Sequence, residues 1–219
     1  MTLTRIALCF AALLAMTGTA SAKDWTAVRV GIQANYPPFN GYDGDNNLAG
    51  FDVDIANALC AEMKAECGFV VQNWEGLIDA LIAEKFDAIV SSMSITEERE
   101  ERVDFTDKYY TNSLTLVAAR DSGITDVTPD GLAGKTLGAE KSTVSAEFLK
   151  THYGKSKIKL YAWGDDSFVN LTNGRNDAVL TDAGKSIAWL KRAEGGCCAF
   201  VGEAVVKDDL TRHRDPRGG

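Results

Sequence analysis

Strand-like and helix-like periods alternate along this chain, and the alternation runs twice. Val28-Arg-Val-Gly-Ile32 alternates in hydropathy and meets Tyr36-Pro-Pro-Phe39, a sequence that must turn. The stretch 40–50 is rich in Gly, Asp and Asn and reads as a loop. Phe51, Ile55, Ala58, Leu59 and Met63 then recur at helical spacing, which predicts a helix over 51–66 with that face inward. A strand over 69–72, a helix over 75–84 and a strand over 87–91 follow. The pattern restarts with a strand over 113–119. After it come strands over 135–139, 157–161 and 177–181, each followed by a helical stretch (143–153, 166–173, 182–194). Such alternation predicts α/β architecture, largely parallel sheets with helices on both faces. The restart near Tyr110–Ser113 predicts two units joined by extended strands, a connection that can hinge.

The first 22 residues have the pattern of a secretory signal. Arg5 is followed by an apolar run over 6–16, and Ala20-Ser21-Ala22 supplies the small residues of a cleavage site. No other stretch approaches the 18 apolar residues of a membrane span. Export makes a disulfide the default for a nearby cysteine pair. Cys60 and Cys67 are such a pair. Metal binding is the alternative, but only two histidines exist, His152 and His213, and neither is near. Cys197 and Cys198 are adjacent, and the sequence leaves open whether they are reduced and buried or paired elsewhere. A formal net charge of −8 over 219 residues argues against nucleic acid as a partner, since that needs a basic face.

Chemistry concentrates at strand ends, where open α/β sheets bind ligands. After the strand over 87–91 comes Ser91-Ser-Met-Ser-Ile-Thr-Glu-Glu-Arg99. Ser91, Ser92 and Ser94 offer hydroxyls and backbone N–H groups, and Arg99 offers a planar fork that matches a carboxylate. The same stretch also fits a capped helix, with Ser94 and Glu97 as a capping box and Arg99 in solvent. Asp182, at the end of the strand over 177–181, suits a ligand ammonium or a helix N-cap. Tyr36 and Trp74 could sandwich a ligand side chain, with cation–π attraction if it is basic, or could be core aromatics.

Together these stretches resemble the periplasmic polar amino-acid-binding proteins of ABC transporters, near the lysine/arginine/ornithine- and histidine-binding group. The resemblance covers 28–206. It is carried by Gly50-Phe-Asp-Val-Asp-Ile55, by Ser-Ser-Met-Ser-Ile-Thr-Glu-Glu-Arg99 and by Val103-Asp-Phe-Thr-Asp-Lys-Tyr-Tyr110. It implies a two-lobed type II fold with a strand hinge: lobe 1 over 23–111, lobe 2 over 112–206, and an atypical tail over 207–219. That tail replaces a return to lobe 1, leaving the first lobe incomplete at the C-terminus as in a truncation. It also implies a carboxylate clamp of Ser92, Ser94, Arg99 and Thr143. The ammonium acceptor is Asp182, helped by Ser91 and Ser92, and Tyr36 and Trp74 stack on the ligand. Cys60 and Cys67 fall where basic-ligand members carry a disulfide. Gln33 stands where those members carry an Asp, which widens the ligand range to neutral, guanidino or opine-like compounds, and Glu140 could restore the negative charge from the other lobe.

The expectation is a monomeric, periplasmic receptor that delivers a polar, basic amino acid to an ABC permease, without cofactor or metal. Competing expectations are a dehydratase-like enzyme on the same scaffold, a sensory module, and a non-functional remnant. An enzyme needs a group poised for proton transfer, and the carboxylate placed in the cleft, Asp182, is already assigned to an ammonium.

Overall fold

The computed structural model describes residues 25–207, so the signal-like segment and the tail beyond 207 lie outside the described residues. The first sheet has three parallel strands: β1 (Ala27–Ile32) in the centre, with β4 (Glu66–Val71) and β5 (Ala88–Ile89) beside it. A small hairpin of β2 (Gly41–Tyr42) and β3 (Leu48–Ala49) precedes α1 (Phe51–Met63). Val28, Val30 and Val90 pack against Ala56 and Cys60 of α1 on one face. On the other, Leu77 and Ala80 of α2 (Leu77–Ile82) pack against Phe86. The helix expected over 75–84 is divided, because Trp74–Gly76 forms a 3-10 turn ahead of α2.

The inward face of α1 differs from the periodicity. Asp52, Val53, Ala56 and Cys60 are buried, whereas Ala58 is exposed and Leu59 and Met63 are 54% and 50% exposed. Two side chains set this rotation. Cys60 is bonded to Cys67 of β4, stapling the last turn of the helix to the sheet, and Asp52 enters a buried hydrogen-bond cluster at the other end. Gly50 precedes the helix at φ 124°, and a side chain there would strike the backbone of Pro38 and Phe39.

The segment from α3 (Glu97–Glu100) to β6 (Leu114–Ala119) contains no strand, so the link at 110–113 lies outside both sheets. The second sheet has the order β10-β6-β9-β7-β8, with β7 (Thr136–Glu140), β8 (Lys157–Tyr161), β9 (Ala178–Asp182) and β10 (Cys198–Val206). It is mixed: β7 is parallel to β8 and β9, while β6 is antiparallel to both β9 and β10. Leu114, Leu116, Leu137 and Leu180 face α4 (Val144–His152), where Ala146 and Leu149 are fully buried. Val117 and Val179 point the opposite way, to Phe168 of α5 (Gly164–Thr172) and Trp189 of α6 (Ala183–Leu190). A 3-10 turn at Ala193–Cys197 leads into β10, where Cys197 and Cys198 are joined to each other and Cys198 is fully buried.

The Cys60–Cys67 bridge closes a short loop. Replacing both residues by serine should lower stability by about 2–3 kcal/mol on the chain-entropy account, measured by urea unfolding with the midpoint and the m-value both fitted.

Candidate functional site

Both sheets point strand ends at a shared cavity. Its lining includes Gln33, Tyr36, Trp74, Ser91, Ser92, Ser94 and Arg99 from the first unit, and Glu140, Thr143 and Asp182 from the second. All nine residues singled out in the sequence as ligand-binding are therefore in one place. Glu140, read in the sequence as a source of negative charge, is with them.

The loop after β5 is fixed from behind. Asp52, fully buried, accepts hydrogen bonds from Asn40 Nδ2 (2.6 Å), Ser92 Oγ (2.9 Å) and Tyr109 Oη (2.8 Å). Tyr109 Oη in turn accepts from the Ser92 amide at 2.8 Å. Burial raises the Asp52 pKa and the three donors oppose it. Ser92 sits at φ 49°, a left-handed conformation that this cluster holds in place. Ser91 Oγ accepts from the Gln33 amide (3.0 Å), tying the loop to the end of β1. The hydroxyl proton and the amide of Ser92 thus belong to the scaffold, and what Ser92 can still offer a ligand is acceptor oxygens.

The capping box read at Ser94 and Glu97 does not form. The N-cap of α3 is Thr96, whose hydroxyl accepts from the Arg99 amide. Arg99 is not a solvated side chain either. Its Nη1 donates to Ser94 O (2.8 Å), its Nη2 to Ser142 O (3.1 Å), and its guanidinium lies 5.2 Å from the Trp74 ring centroid. Burial lowers its pKa, but arginine remains charged.

On the opposite wall Thr143 caps α4. Its hydroxyl donates to Glu140 O (2.6 Å) and accepts from the Ala146 amide (3.2 Å). Asp182 stands at the N-cap position of α6 but makes no side-chain cap bond; instead the Tyr36 hydroxyl donates to its carboxylate. Burial first, and then the charge of Asp182, push the Tyr36 phenol far above its usual pKa, so it remains the donor. The Tyr36 ring also stacks on Phe39 at 5.2 Å.

The two units meet through polar contacts across the cavity and its rim. Gln33 Nε2 donates to Glu140 Oε1 (3.0 Å), Trp74 Nε1 donates to Ser142 O (2.8 Å), and Lys141 pairs with Glu75 (2.5 Å). Glu140 is buried, which raises its pKa against the opposing effects of Lys185 and Gln33. Sequence reasoning gave no role to Asp52, Tyr109 or Lys185. Asp52 and Tyr109 lie inside the runs that carry the family likeness, which was the available signal. Lys185 had none.

A cavity between the strand ends of two α/β units, with a guanidinium on one wall and a carboxylate on the other, defines a two-lobed clamp of the type II solute-binding fold. Residues 28–209 match the family of bacterial extracellular solute-binding proteins, family 3, and the chain belongs to that family. It is 39% identical to the ABC transporter arginine-binding protein 1 of Escherichia coli (strain K12), over 84% of this chain and 74% of that protein. Among solved structures, an ancestral arginine-binding protein bound to arginine superposes with a TM-score of 0.79 at 30% identity, over 85% of this chain and 83% of that one. An ancestral amino-acid-binding protein that is a precursor of cyclohexadienyl dehydratase gives 0.77 at 30%, over 84% and 79%.

Trp74→Phe keeps an aromatic face near Arg99 but removes the donor to Ser142. It should cost the closed form about 0.5–1.5 kcal/mol. Small-angle scattering should then show a larger radius of gyration for the unliganded variant than for the parent.

Proposed function

We propose that the protein is a periplasmic receptor that captures a free polar amino acid, with arginine and its basic kin the first candidates, and hands it to an ABC permease. The convergence of all nine sequence-selected residues on one cavity is the observation that carries this reading. In it, Arg99 pairs with the ligand α-carboxylate, aided by Ser94 and by groups around Thr143. Asp182 receives the α-ammonium, together with oxygens of Ser91 and Ser92. Trp74 and Tyr36 bound the side chain, and Gln33 and Glu140 meet its far end. The Tyr36–Asp182 and Arg99–Ser142 contacts are the protein's own substitutes for these bonds, and a ligand with both charged ends would exchange for them.

The same reading divides the chain into a signal peptide over 1–22, a first lobe over 23–111, a second over 112–206 and a tail over 207–219. It takes the receptor as a monomer. A ligand that touches both lobes gains its second set of contacts only on closure, so binding shifts the population toward the closed form. Binding rather than turnover is supported by the arginine-binding relatives. Because one structural neighbour is a dehydratase precursor, conversion of a cyclohexadienyl acid would replace this reading with a catalytic one.

The test is thermal unfolding scanned against the amino acids. A ligand at a hundred times its Kd adds about 2.7 kcal/mol of stability. A rise in the transition with arginine, lysine, ornithine or histidine is expected, and no rise with any amino acid would refute the reading. By calorimetry, Arg99→Ala should weaken binding by about 2 kcal/mol or more, because it leaves a desolvated carboxylate under-paired.

A further inference from the structure

Behind the Gln33–Glu140 end of the cavity lies a charged group to which the reading above gives no role. Lys185, in the first turn of α6, is 2% exposed. Its Nζ lies 3.8 Å from Glu140 Oε2, 3.4 Å from Asp165 Oδ1 and 5.2 Å from the Tyr36 ring centroid, and it makes no hydrogen bond among the described residues. The packing admits this ammonium because residue 164 is glycine; a side chain there would collide with Lys185 Nζ and the Glu140 carboxylate. Asp165 is shared with Arg192 on the outer side, at 3.1 Å. Glu140 is therefore the buried carboxylate beside Lys185, and it also faces the cavity.

A carboxylate and an aromatic face are what a cationic ligand side chain would seek. Lys185 already engages both. Arg99 and Lys185 match Asp182 and Glu140 around the cavity, and Asp165 is matched on the outer side by Arg192, so these charges balance without a ligand. A zwitterionic amino acid with a neutral side chain preserves that balance, whereas a cationic side chain brings a like charge toward Lys185 in a desolvated space.

We propose that Lys185 is a specificity-determining residue that acts through Glu140. It supplies from within the protein the cation that Glu140 would otherwise take from the ligand. The closed site then accepts a long side chain ending in a neutral amide or ureido group about as well as a guanidinium. This rests on the amino-acid-binding reading of the cavity.

Arginine and citrulline test it, because they share their α-ends and nearly their shape but differ in side-chain charge. Calorimetric Kd values for both are compared in the parent, Lys185→Met and Glu140→Gln proteins. The parent should bind the two within about tenfold of each other. K185M should shift the ratio at least about tenfold toward arginine, and E140Q at least about tenfold toward citrulline. A structural role for Lys185 would weaken both ligands alike and leave the ratio fixed. An unchanged ratio in K185M overturns the proposal, as does a parent that prefers arginine by more than about tenfold. If K185M does not fold, Lys185→Gln takes its place in the same comparison. A parent that binds no amino acid at all overturns the underlying reading, and this assignment with it.

Discussion

The site depends on a carboxylate that faces away from it. Asp52 sits in the first turn of α1 with no exposure, and its two oxygens gather Asn40, Ser92 and Tyr109 from three separate loops. A carboxylate in such a place is costly unless its lone pairs are met. Here they are met, and the groups that meet them fix the lining of the cavity. Ser92 is held in a left-handed conformation, which sets the course of the loop toward Arg99. Loss of Asp52 would leave the buried Asn40 amide and the part-buried Ser92 and Tyr109 hydroxyls without this acceptor, and the loop without its anchor.

The two units reach the same site by different sheet designs. In the first, parallel β1 and β5 deliver Gln33 and Ser91 from adjacent strand ends. In the second, parallel β7 and β9 deliver Glu140 and Asp182, while antiparallel β6 and β10 close the opposite side of the sheet. In both, the residues at the cavity follow the carboxyl ends of parallel strands, as open α/β sheets require. The antiparallel part of the second sheet carries core leucines and valines and contributes none of the ten cavity side chains named above.

Much of this was legible in the sequence because it depends on short-range pattern. Strand ends, the serine run and Arg99 could be located from periodicity, and the family likeness joined them into one site. Other features depend on contacts between distant segments. Strand periodicity carries no direction, so the antiparallel placement of β6 was not readable. The apolar spacing of α1 pointed to Leu59 and Met63, yet the Cys60–Cys67 bond and the Asp52 cluster turn an adjoining stripe inward, keeping Ile55 of the expected face against the core. Lys185 looked like any helical lysine, because its burial exists only where Gly164 and Glu140 meet it. The helix cap falls at Thr96 rather than at Ser94, whose carbonyl instead accepts from the Arg99 guanidinium.

The Ser142 carbonyl receives both Trp74 and Arg99, and the Lys141–Glu75 pair lies beside it on the rim, about half in solvent. These contacts close the mouth of the clamp at its edge. Their strength therefore bears on how long a captured molecule stays more than on how fast it enters. An exposed rim ion pair is also screened by salt. Residence time in such a receptor can then drift, across evolution or with ionic strength, while the chemistry that recognises the ligand stays the same.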